Sequence, residues 1–265
     1  MVQARQDVPV SMIGRVSRVF EAFAPEDSEL RIAEIARRTG LAKATVSRLV
    51  AELVEHGFLE RSGMSVRVGL RFFELGERAA RPRELRDLAL ANMADLRNAT
   101  RQTVHLAVLD GAEVVYVAKL RSRTAPPMAS RVGGRLPAHA TGVGKAMLAW
   151  AEPTVVDAVV AAGLPAVGPG TITGEAAFRR ELAAVREHGV AYEREESGPG
   201  VWCAAAPIRR PAGAVIAALS VTARVGDVDP VQLGMAVQTS ASALSREAGR
   251  NPAFARSAWS DLGER

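Results

Sequence analysis

The spacing of apolar residues changes once along this chain, near residue 100, and that change limits what it can fold into. Before it, apolar side chains recur at intervals of three and four, as amphipathic helices require. After it, runs of two-residue alternation come and go among helical stretches. A chain of 265 residues has room for one or two domains, and the switch in period favours two of different character. Strands and helices mix in the second stretch without regular strand–helix–strand alternation. The predicted class is therefore α+β, with an antiparallel sheet flanked by helices.

The first stretch reads as compact and helical. Ile13, Val16, Val19, Phe20 and Phe23 share one face of a helix predicted over 12–24, which Pro25, Asp27 and Ser28 break. Ile32, Ile35 and Ala36 mark a second helix over 31–39, ended by Gly40, because glycine accepts the left-handed conformation that helix ends favour. A third, over 42–56, turns Val46, Leu49, Val50 and Leu53 inward and stops at Gly57. Phe58–Arg61 and Ser65–Gly69, around Ser62-Gly63, read as a short hairpin.

Two helices parted only by Gly40-Leu41 have the spacing of a helix-turn-helix. That motif needs short polar and basic side chains at the N-terminal end of its second helix, where it enters the major groove. Lys43, Ala44, Thr45, Ser47 and Arg48 supply them. Lys43 and Arg48 can reach phosphates or guanine edges, Thr45 and Ser47 can bond phosphate or a base, and Ala44 keeps the surface thin. Arg37 and Arg38 add charge from the first helix, and Arg61 and Arg67 from the hairpin, which would act as a wing. The competing reading is an ordinary α-hairpin with a solvated basic face; the hairpin beside the second helix weighs against it. A net charge of +5 suits an anionic partner but constrains little, because the excess is almost wholly arginine, with lysine only at Lys43, Lys119 and Lys145.

Residues 70–99 read as a linker: a helical pattern from Leu70 to Ala79, an interruption at Arg81-Pro82-Arg83, and renewed helical periodicity over 84–98. Strands are expected at Thr103–Leu109 and Val114–Lys119, around the turn signal Asp110-Gly111. Helices follow at 142–150, 153–161 and 174–188, strands at 190–194, 201–208 and 214–222, and a closing helix at about 230–247. The lone Cys203 cannot form an internal disulfide, and no apolar run follows the charges of residues 1–6. The longest apolar stretches, Ala212–Val221 and Val155–Ala162, fall short of the ~20 residues of a membrane span. These features point to the cytoplasm.

Catalytic equipment is hard to find in the second stretch. The glycine-rich run 131–149 ends in Gly144-Lys145, but a phosphate-binding loop needs a glycine where His139 stands and Ser or Thr where Ala146 stands. No cofactor is expected. His56, His105, His139 and His188 are scattered without a metal-ligand spacing. Cys203 reads as a small buried apolar residue, since no base lies near it in sequence. Backbone amides at Gly142 and Val143, at a helix start, could hold a carboxylate. Ser220 and Thr222 alternate with Leu219 and Val221, so their hydroxyls share one strand face.

Four segments in order resemble the IclR family of bacterial transcriptional regulators, over about residues 11–248. They are Thr39–Val50; the wing exit Val66–Leu70; Gly134–Ala146; and Cys203–Ile208 followed by Ala218–Thr222. The resemblance implies a winged helix-turn-helix DNA-binding domain over 9–70, a linker helix over 71–81, a GAF-like effector-binding and oligomerisation domain over 82–250, and a tail over 251–265. It implies a non-enzymatic regulator, most simply a repressor, that binds a palindromic operator on double-stranded DNA as a homodimer or a tetramer formed by two dimers. Carried over by position, the effector would meet Gly142, Val143, Glu193, Cys203, Ser220 and Thr222, with Met128, Leu136 and Val201 as apolar walls. Glu193 stands where the family often has aspartate and Thr222 where it often has serine. The expected effector is a small organic carboxylate, aromatic acids included. An activator of the same family, a hydrolase using Cys203, and a purely architectural DNA binder are the alternatives.

Overall fold

A computed structural model describes residues 11–211 and 213–254. The tail expected over 251–265 lies outside the described residues from 255 onward. The chain divides after Ala80 into two compact units.

The first unit holds α1 (Met12–Glu21), β1 (Leu30–Arg31), α2 (Ile32–Thr39), α3 (Lys43–Glu55), β2 (Leu59–Ser62), β3 (Ser65–Val68) and α4 (Arg71–Glu77). Gly40 closes α2 at φ 69°, and its amide donates to Ala36 O at 3.0 Å. Only that left-handed residue lets α3 leave so soon after α2. Val19, Ile35, Val46, Val50, Leu59 and Val66 are buried together as one core. The wing is antiparallel, ordered β1-β3-β2, and Arg67 on β3 pairs with Glu60 on β2. Gly69 leaves the wing so close to Gly57 that a Cβ there would lie 2.2 Å from Gly57 O. On α4, Phe72 stacks edge-on with Phe20 at 4.6 Å and with Phe58 at 5.5 Å between ring centroids.

The second unit opens on α5 (Ala80–Thr100). The interruption expected at Arg81-Pro82-Arg83 is instead the first turn of this helix. Proline is tolerated there because first-turn amides have no partner within the helix. Then come β4 (Thr103–Asp110), β5 (Glu113–Leu120), β6 (Arg135–Pro137), α6 (Gly142–Leu148), α7 (Pro153–Ala161), α8 (Glu175–His188), β7 (Ala191–Arg194), β8 (Val201–Arg209), β9 (Val215–Arg224) and α9 (Pro230–Arg250).

Six strands form one antiparallel sheet in the order β6-β5-β4-β9-β8-β7. Both faces are covered, so its strands read as continuous apolar runs, yet alternation still sorts them. Ala204, Ala206, Leu219 and Val221 pack with Leu85, Ala89, Met93 and Leu96 of α5 and with Leu233, Val237, Ala241 and Leu244 of α9. Cys203, Ala205, Ala218 and Ala107 face the other way, toward Val143, Ala146 and Met147 of α6, Val159 of α7, and Phe178 and Leu182 of α8. Alanine and cysteine on that second face leave room above the sheet. The short strands β1 and β6 escaped the sequence reading, since two or three residues carry no periodic signal.

Candidate functional site: a reading helix and a buried cavity

At the start of α3, Val46 and Leu49 are buried while Lys43, Ala44 and Arg48 are exposed and Thr45 and Ser47 are half-buried. The helix thus presents one polar, thin ridge outward. The two arginines of α2 are differently employed. Arg37 makes two hydrogen bonds to Glu34, at 2.8 and 2.7 Å. Arg38 donates to Glu34 at 2.6 Å, to Ala22 O at 2.8 Å, and to Asp27. Hydrogen bonds from Arg37, then Arg38, hold the Glu34 carboxyl down at about 2. Arg38 therefore braces α2 against the end of α1 and its following loop, and its guanidinium is largely committed inside the unit. On the wing, Arg67 bonds Glu60 at 2.9 Å, whereas Arg61 stands exposed.

In the second unit, a cavity of about 630 Å³ lies on the α6 side of the sheet. It is lined by all nine residues expected for an effector: Gly142 and Val143 from α6; Glu193, Cys203, Ser220 and Thr222 from β7, β8 and β9; and Met128, Leu136 and Val201 as apolar walls. Antiparallel register explains the convergence. Glu193 pairs with Cys203, and Cys203 with Thr222, so three consecutive strands place them in one row. Gly142 packs close to the sheet: a Cβ there would meet Cys203 Sγ at 3.1 Å, so that the sulfur would have to give by a few tenths of an ångström.

Further lining residues escaped the sequence reading, among them His105, Tyr116, Ser130 and Ser197. His105 pairs across the sheet with Ser220, and the alternation of β4 was the available signal for it. Its ring is buried and contacts Ser130 Oγ through Nε2 at 2.9 Å and Thr222 Oγ1 through Nδ1 at 3.3 Å. Burial, and secondarily the charge of Lys119, push it down to about 3, so the ring is neutral. Burial raises the Tyr116 hydroxyl well above its ordinary range.

Glu193 Oε1 accepts from the amides of Glu196 and Ser197, at 2.8 and 3.0 Å, and from the Ser197 hydroxyl at 3.2 Å. Burial raises its carboxyl, outweighing these bonds and the pull of Lys145. Behind this turn sits Lys145, a fully buried lysine. Its Nζ donates to Glu196 at 2.6 Å, Tyr192 O at 2.6 Å and Glu181 at 2.9 Å. It is a structural clamp on the wall of the cavity. Burial pushes the Cys203 thiol up to about 12, the opposite of what a nucleophile needs.

Residues 13–63 match the IclR helix-turn-helix domain, and residues 78–246 match the C-terminal domain of the bacterial transcriptional regulator IclR. The chain belongs to the IclR family. Among curated relatives, the HTH-type transcriptional regulator XynR of Escherichia coli is 32% identical over 246 residues, spanning 91% of this chain and 98% of XynR. The HTH-type transcriptional regulator KdgR of E. coli is 33% identical, spanning 82% of this chain and 84% of KdgR. Among solved structures, an IclR homolog from Microbacterium hydrocarbonoxydans, complexed with 4-hydroxybenzoate, superposes with a TM-score of 0.83 at 34% identity, over 89% of this chain and 98% of the other. IclR-family proteins of this kind are DNA-binding regulators of transcription, not enzymes, and this chain is one of them. Among the described residues, no helix is long and apolar enough to cross a membrane.

Proposed function

We propose that the cavity is an effector site for a small organic carboxylate, aromatic acids included, and that its occupancy controls repression from a palindromic operator. The observation that carries the reading is the convergence of the nine effector residues on one cavity. Its size lies within the ~300–1,000 Å³ range of small-molecule sites. Its chemistry also fits: Met128, Leu136 and Val201 offer apolar contact to a ring, while the hydroxyls of Ser220 and Thr222 and the first amides of α6 offer donors. The 4-hydroxybenzoate complex of the Microbacterium homolog supports this class.

In this reading residues 9–70 bind DNA, 71–81 link, and 82–250 bind effector and pair the chains. Lys43, Ala44, Thr45, Ser47 and Arg48 face the major groove, Arg37 and Arg61 lie near the backbone, and Arg67 stabilises the wing. A homodimer, singly or as a pair of dimers, spaces two α3 helices at roughly 34–36 Å, one turn of DNA. The effector acts only through unequal affinity for the DNA-competent and incompetent arrangements; a coupling of about 1–3 kcal/mol is typical. The test is thermal-shift screening of organic acids, beginning with 4-hydroxybenzoate, followed by operator binding with and without the best ligand. A ligand that stabilises the protein and moves operator affinity supports the reading. Stabilisation by none of the acids overturns the carboxylate assignment, and a stabilising ligand that leaves operator affinity unchanged overturns the control.

A further inference from the structure

Two lining residues that the sequence reading missed, His105 and Ser130, belong to a chain with a direction. Lys119 Nζ donates to Ser130 O at 2.6 Å and to Ser130 Oγ at 3.1 Å. Ser130 Oγ in turn lies 2.9 Å from His105 Nε2, and His105 Nδ1 lies 3.3 Å from Thr222 Oγ1. Ser130, His105 and Thr222 are all buried. Lys119 does not line the cavity; the other three do.

The protons can be placed by elimination. A lysine ammonium only donates, so Ser130 Oγ accepts from Lys119 and keeps its own hydrogen to give away. The neutral imidazole has one donor and one acceptor nitrogen, and the partner on one fixes the role of the other. If Nε2 carried the hydrogen, Thr222 would donate to Nδ1 and Ser130 would accept twice, leaving the Ser130 hydroxyl hydrogen with no acceptor among the described residues and only the cavity to point into. With Nε2 as acceptor, every group is used: Ser130 donates to Nε2, Nδ1–H donates to Thr222 Oγ1, and the Thr222 hydrogen remains to be given. Its neighbour across the ladder is Cys203, whose sulfur is a weak acceptor that a ligand oxygen outcompetes.

We propose that the chain Lys119–Ser130–His105–Thr222 turns the Thr222 hydroxyl into the cavity as a donor, and thereby makes the site prefer ligands that offer an oxyanion there over isosteres that do not. This deepens, and rests on, the reading of the cavity as an effector site. Lys119, Ser130 and His105 are positioning residues. The same chain ties the segment between β5 and β6, which carries Met128 and Ser130 over the cavity, to the floor of the sheet.

Two measurements on the full-length protein test it. Long-range proton–nitrogen NMR correlation with ¹⁵N-labelled histidine reads the tautomer of each ring. His105, assigned by comparison with His105→Phe, is expected with its hydrogen on Nδ1; a hydrogen on Nε2, or on both nitrogens, overturns the relay. Second, Kd is measured by calorimetry for 4-hydroxybenzoate and for its neutral amide, on wild type, Lys119→Met, Ser130→Ala and the double variant. The relay predicts a loss of about tenfold for the carboxylate in Lys119→Met with little change for the amide, and a double variant no worse than either single one. Equal losses for acid and amide mean a merely structural role and overturn the proposal, as does an unchanged carboxylate Kd. Wild type that binds neither 4-hydroxybenzoate nor a wider set of carboxylates sinks the effector reading and the selection with it. Binding by wild type whose His105 carries Nε2–H sinks the relay alone.

Discussion

Replacing Lys145 with methionine keeps a long apolar stem in the site and removes one buried charge. In the native protein the side chain is 1% exposed and its partner Glu196 is 7% exposed, with 2.6 Å between Nζ and Oε1. Glu181, the other partner, is 29% exposed and can turn to water. The variant therefore strands one buried carboxylate and one backbone carbonyl, that of Tyr192. Removing one member of a buried pair costs about 3–5 kcal/mol. The size of the loss should also depend on pH in a definite sense. Burial already holds Glu196 up at about 7, with Lys145 pulling it down; without the lysine it rises further. From about pH 8 upward the wild-type Glu196 is ionised both folded and unfolded, so its stability is flat with respect to this group. In the variant the folded state keeps a proton that the unfolded state has lost, so stability falls as pH rises, by up to about 1.4 kcal/mol per pH unit. Urea unfolding followed by the fluorescence of Trp150 and Trp202, both in the second unit, measures the difference at pH 7, 8 and 9. It should widen with pH, and Lys145→Met/Glu196→Gln should recover part of the loss and abolish the widening. A loss that is the same at every pH, or that the second substitution deepens, would refute the claim that Lys145 serves to neutralise a buried carboxylate.

Arg48→Ala should weaken operator binding by about 1–3 kcal/mol if the arginine reads a base, and shallow the salt dependence by about one if it grips a phosphate, with the melting temperature unchanged; fluorescence anisotropy across a salt series decides. Glu193 has its carboxyl raised by burial, so lowering the pH from neutral should protonate it, remove its repulsion of an anion and tighten 4-hydroxybenzoate binding. Glu193→Gln should bind with a Kd that no longer improves toward acid pH, and calorimetry at three pH values checks both. Gly144→Ala should leave little folded second unit, because its Cβ would lie 2.0 Å from Ala138 O, a backbone atom that cannot step aside; circular dichroism and melting are the measurements.

Local chemistry was readable wherever one residue decides. Gly40 and Gly57 end their helices at φ 69° and 75°, and Asp110-Gly111 turns β4 into β5 with Gly111 at φ 61°. The alternation of Ser220 and Thr222 with Leu219 and Val221 put the two hydroxyls on one face of β9. Other features were misread or missed because their partners are far away in sequence. Pro82 resembles a helix breaker until its place in a first turn is known. Arg38 resembles a DNA contact until Asp27, 11 residues away, and the end of α1 are folded against it. Lys145 has no assigned role once the phosphate loop is rejected, and only the fold brings it to Glu196, 51 positions later. His105 gave no sign of its link to Ser130, 25 residues on, or to Thr222, 117 residues on.

By itself, then, the sequence determined the helix-turn-helix, its outward ridge at Lys43–Arg48 and the residues that resemblance carries over by position to the cavity lining. Turns, periods and motif spacings are properties of neighbours along the chain. The tertiary structure alone decided which charges are spent inside the protein and which polar groups are joined beside the cavity. Burial and hydrogen-bond partnership depend on what sits a few ångströms away, and chain order does not encode that distance.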